Sequence, residues 1–92
     1  MVLNEQEIMN AICLNTALRK QIRPEAVDVQ LMYDDDLGYS AEVTTMGRSQ
    51  YIIEATILEA IEQYLYKEHG LQVFRSQISL DIEDEMIARV AV

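Results

Sequence analysis

Tryptophan is absent from this chain of 92 residues, cysteine, proline and histidine occur once each, and there are three glycines. The lone Cys13 cannot form an intrachain disulfide. Positive charge is also scarce, with seven Lys and Arg against sixteen Asp and Glu, a net charge of −9 and a pI near 4.3. Those seven cations (Arg19, Lys20, Arg23, Arg48, Lys67, Arg75 and Arg89) are scattered, so no basic face forms to hold nucleic acid or an anionic membrane. Long apolar runs are missing as well: the longest, Ala11 to Leu14, is four residues, where a bilayer span takes ~20. The amino terminus lacks the basic stretch and apolar run of a secretory signal. Neither internal repeats nor low-complexity tracts occur. These absences lead us to expect a soluble cytoplasmic protein with no nucleic-acid or membrane partner.

Half of the residues are apolar and a quarter are charged, the composition of a folded chain, and the length fits a single domain over residues 1–92. Asn4 and Glu7 make a capping pair ahead of Ile8, Ala11, Ile12 and Leu18 at helical spacing, which predicts a helix from 4 to about 21. Pro24 closes it. From Val27 the period becomes two, with Val27, Val29, Leu31 and Tyr33 on one face, and after Asp34–Gly38 the alternation resumes at Tyr39, Ala41, Val43 and Thr45. This is a hairpin in which Tyr33 faces Tyr39, Leu31 faces Ala41 and Val29 faces Val43. A three-residue turn at Met46, Gly47 and Arg48 then sets Val43 against Tyr51. A two-residue turn sets Val43 against Gln50 and is the less favoured register.

A second helix follows, with Ile57, Leu58, Ile61, Tyr64 and Leu65 as its apolar stripe and Gly70 as its stop. Ile78, Leu80 and Ile82 mark a fourth strand, and Met86, Ala88, Val90 and Val92 a fifth. The expected fold is α+β in the order α-β-β-β-α-β-β. It forms a two-layer α/β sandwich, a mainly antiparallel sheet with both helices on one face. The second helix can return the chain so that the fourth strand lies parallel to the third. Seven of the sixteen acids, Asp34, Asp35, Asp36, Asp81, Glu83, Asp84 and Glu85, then fall in two clusters at one end of the sheet, beside both helix starts.

These clusters do not spell a known site. An EF-hand type loop needs alternating carboxylates with a glycine at its sixth position and a glutamate at its twelfth, whereas Asp34, Asp35 and Asp36 are consecutive and their side chains diverge. Solvated turns are the first reading, and an acidic contact surface of Asp34, Asp35, Asp36, Glu83, Asp84 and Glu85 the second. Cys13 and His69 lie on different helices with an axial offset of about 9 Å, too far for a nucleophile and its base. Phosphate loops and cofactor motifs are lacking. The order α-β-β-β-α matches a double-stranded-RNA-binding domain, but the second helix begins Glu54, Ala55, Thr56 without a lysine cluster. On the outer sheet face, Met32, Met46, Ile52 and Ile87 are more apolar than solvation requires, and they form a candidate interface for a partner or a second copy.

The segments Leu3–Ile8, Tyr39–Val43 with Gly47 and Arg48, and Ile53–Ala55 resemble the YxcD-like family of small uncharacterised proteins from Bacillus relatives. The resemblance covers nearly the whole chain and implies a cytoplasmic bacterial protein, with no assigned activity, cofactor or catalytic residue. The functional expectation is a non-enzymatic protein-interaction module that binds a protein partner or forms a homodimer, with no cofactor. A small-ligand or divalent-cation-binding accessory domain is the alternative.

Overall fold

The computed structural model describes residues 1–92. Its elements run β1 (Val2–Leu3), α1 (Glu5–Lys20), β2 (Val27–Asp34), β3 (Gly38–Thr45), β4 (Arg48–Ile53), α2 (Glu54–His69), β5 (Ile78–Ile82) and β6 (Met86–Val90). Single 3₁₀ turns at Pro24–Ala26 and Arg75–Gln77 lead into β2 and β5. The expected α-β-β-β-α-β-β order is therefore present in an α+β fold, preceded by one short strand.

Both helices begin and end where local chemistry directs. The Asn4 side chain accepts from the Glu7 amide at 2.8 Å while Glu7 accepts from the Asn4 amide at 3.2 Å, which satisfies two otherwise orphaned helix-start donors. Helix α2 stops at Gly70, whose φ of 64° is a left-handed conformation that costs glycine little. The two helices are tied together by a partly buried polar link. Asn15 donates to Gln63 at 2.7 Å and accepts from Arg19 at 3.1 Å.

The strands do not form one sheet. They make two three-stranded antiparallel sheets, β2-β3-β4 and β1-β6-β5, so the expected single sheet holding the third and fourth strands is absent. Instead β5 pairs with its chain neighbour β6, a short-range antiparallel contact that needs no crossover. The other edge of β6 is taken by β1, where the Val90 amide donates to the Met1 carbonyl at 2.8 Å.

In the first sheet the hairpin register is the expected one, with Tyr33 opposite Tyr39, Leu31 opposite Ala41 and Val29 opposite Val43. The next register differs from expectation. Met46 and Gly47 have φ of 50° and 77°, the paired positive values of a two-residue type I′ turn, whose twist matches that of the flanking strands. Val43 therefore faces Gln50 rather than Tyr51, and Ile52 lies across from Ala41. Val27, Ala41, Val43 and Ile52 pack in one core cluster with Ile8, Ile12, Ile57, Ile61 and Leu65. Burying each large aliphatic side chain fully contributes about 1.5–3 kcal/mol, so the register decides which residues hold the fold and which face water.

Candidate functional site

Period two sends alternate residues of the β2-β3-β4 sheet away from the core. The register builds three outward rows across the strands: Met32, Ser40 and Ile53; Gln30, Glu42 and Tyr51; Asp28, Thr44 and Ser49. The last row is polar, and the Thr44 and Ser49 hydroxyls share a 3.0 Å hydrogen bond. Toward the other end the face turns apolar. Tyr51 and Ile53 are each 66% exposed and Leu37, in the hairpin turn, is 80% exposed. Together with half-buried Met32 they border a groove of about 710 Å³ that Tyr33, Asp34, Ser40 and Ile52 also line.

The hairpin that carries Leu37 is held by its first acid. Asp34 accepts from the Asp36 amide at 2.7 Å and the Leu37 amide at 3.2 Å, an Asx-type turn. Beside it the Tyr33 and Tyr39 rings sit 4.9 Å apart, tilted by 57°. Burial pushes the Tyr39 phenol above its ordinary value, and the negative charge of Asp81, the neighbouring Tyr33 and the charge of Glu54 push it the same way. Tyr39 thus feels carboxylates from β5 and from the first turn of α2.

The four residues expected on an interface separate. Met32 lies on the outer face, while Met46 stands at the tip of the β3-β4 turn, 84% exposed. Ile52 and Ile87 are each only 6% exposed and offer no contact surface. Ile52 is inward because the turn has two residues, and Ile87, opposite Asp81, is buried although it lies outside the main core cluster. The outward residues that expectation missed are Tyr51 and Ile53. Their signal was the turn length: Gly47 in second position suits a two-residue turn, and that register points both of them outward.

The acids differ in their partners. Arg89 engages Asp81 at 3.5 Å and Glu83 at 2.6 Å, and Arg75 engages Glu59 at 3.5 Å and Glu62 at 2.8 Å. Asp34, Asp35, Asp36, Asp84 and Glu85 have no ion-pair partner, and no set of three His, Cys, Asp or Glu side chains converges as metal ligands. Cys13 donates to the Val27 carbonyl at 3.6 Å, and burial followed by the charge of Asp28 pushes its thiol above the ordinary range. His69 instead packs edge-on against Tyr64 at 5.4 Å. A thiol held in its neutral form is a poor nucleophile.

Comparison with known proteins gives a family but no activity. The model of a family described as "Protein of unknown function (DUF2653)" matches residues 1–85. The chain is 36% identical over 71 residues to "Uncharacterized protein YxcD" of Bacillus subtilis (strain 168), an alignment covering 76% of this chain and 70% of that relative. No solved structure matches. No helix is long and apolar enough to cross a membrane.

Proposed function

The chain belongs to the DUF2653 family of proteins of unknown function, its similarity to YxcD agrees with the resemblance read from its sequence, and we propose that it is a small non-enzymatic protein-interaction module. Its contact surface is the outer face of the β2-β3-β4 sheet. One observation carries this reading: Met32, Tyr51 and Ile53 point away from the core on a sheet face, with exposed Leu37 at its end. Large apolar side chains gathered on a surface mark contact sites more often than scattered ones do.

The openness of the groove favours a protein over a small molecule. Sites for small ligands enclose about 70–90% of the ligand surface, and a groove whose main walls are themselves two-thirds exposed encloses much less. The raised Cys13 thiol is held in its neutral form, which disfavours it as a nucleophile. We place the module in the cytoplasm, with α1 and α2 as one layer over the inner sheet face. Core residues of both helices, Ile8 and Ile12 of α1 and Ile57, Ile61 and Leu65 of α2, share one cluster with Val27, Ala41, Val43 and Ile52 of the sheet, which supports this layering.

A photo-crosslinking residue at Ile53 should capture a protein in the source cell, and the same residue at exposed Asn10 of α1 should not. The mass of the adduct tells a second copy from another protein. Equal capture at both positions, or none at Ile53, would refute the reading.

A further inference from the structure

We propose that the occupant of this groove is a basic segment of another protein that carries apolar side chains along one side. This rests on the reading of the outer sheet face as a docking surface and adds the chemistry of what docks there. The eleven outward positions of β2, β3 and β4 hold Asp28, Asp34 and Glu42 and no lysine or arginine. Asp35 and Asp36 extend the same charge at the hairpin tip beside Leu37.

None of these five carboxylates takes part in an ion pair within the chain. The second acidic cluster differs, because Arg89 already engages two of its members. Asp34 lines the apolar groove, Glu42 flanks Tyr51, and Asp35 and Asp36 stand at the hairpin tip, so this negative charge beside the groove has no counterion within the chain.

That charge also decides against a second copy of the chain. A two-fold contact brings the same patch against itself, so Asp28, Asp34 and Glu42 would meet their own kind at the rim of a chain of net charge −9. Like charges facing across an interface suppress association, and opposite charges accelerate it and fix its register. Lysines or arginines flanking two apolar anchors satisfy both features of the face at once.

The test uses two labelled synthetic amphipathic peptides of identical pattern, one of Lys and Leu and one of Glu and Leu, with fluorescence anisotropy as the readout. The wild-type chain should bind the Lys/Leu peptide at least about tenfold more tightly than the Glu/Leu peptide, with affinity falling as salt rises. The double variant Tyr51→Ser/Ile53→Ser should lose about tenfold or more. Asp28→Asn/Glu42→Gln should lose several-fold and flatten the salt dependence.

Equal binding of both peptides, abolished by Tyr51→Ser/Ile53→Ser, would overturn the basic partner and leave the docking face standing. Peptide binding indifferent to Tyr51→Ser/Ile53→Ser, or no binding at all, would overturn the proposal. So would a dimer in sedimentation that dissociates on Ile53→Ser, which would hand the face to a second copy. All four substituted residues are outside the core cluster, and circular dichroism checks that the variants fold.

Discussion

Replacing Ile52 and Ile53 by alanine, one at a time, separates the two registers of the β3-β4 hairpin. Ile52 faces the core opposite Ala41 and keeps 6% of its surface exposed, whereas Ile53 faces outward and keeps 66%. Truncating a buried isoleucine to alanine costs about 2–5 kcal/mol, from lost transfer energy and the cavity left behind. A surface substitution usually stays within about 0.5 kcal/mol. The total stability of a chain this long is about 5–14 kcal/mol at roughly 0.05–0.15 kcal/mol per residue, so the Ile52→Ala loss is a large share of it. At about 4–8 °C per kcal/mol for a domain of this size, Ile52→Ala should lower Tm by about 8–40 °C. Ile53→Ala should move Tm by no more than about 4 °C. Thermal unfolding followed by circular dichroism reads both. Equal losses, or a larger loss for Ile53→Ala, would refute the two-residue turn and the outer face built on it.

Met46→Asn should stabilise the chain by up to about 1 kcal/mol, because a non-glycine residue at φ 50° carries left-handed strain that asparagine tolerates; urea unfolding showing no gain or a loss would contradict this. The Tyr39 phenol lies above its ordinary value of 10.0, so its neutral form is the one the fold favours. Its contribution is complete below that value and is lost as pH rises through the higher folded value, so Tyr39→Phe should show a shallower alkaline loss of stability than wild type. An equal slope in urea unfolding between about pH 8 and about pH 11 would count against it. Cys13, raised by burial and Asp28, should react with Ellman's reagent far more slowly in the native chain than in urea at neutral pH. Comparable rates would show that the thiol is free.

Much of the fold was legible because period and punctuation agreed. Asn4 with Glu7 marked the start of α1, Gly70 marked the end of α2, and the alternation across Val27–Tyr33 and Tyr39–Thr45 fixed the first hairpin. The second hairpin failed for a physical reason. Tyr51, Ile52 and Ile53 are three apolar residues in a row, so either alternation buries one face well, and only the backbone of Met46 and Gly47 chooses between them. Ile52 consequently stood in for its neighbours as the surface residue. The division into two sheets was illegible for a different reason: β1 is two residues long and leaves no periodic trace, yet it occupies the edge of β6. Of the candidate site, Met32 and the acids Asp34, Asp35 and Asp36 were visible from alternation and composition. Leu37, Tyr51 and Ile53 needed the register.

The claim that matters most is that the outer face of β2-β3-β4 is where a basic partner docks. Backbone amide chemical shifts recorded while the Lys/Leu peptide is titrated into the chain test it residue by residue. The shifts should concentrate at Met32, Leu37, Ser40, Tyr51 and Ile53, with those of exposed Asn10 and Lys67 on the helices left unchanged. Shifts spread over the helices, or gathered at Asp84 and Glu85 with the sheet face silent, would contradict it.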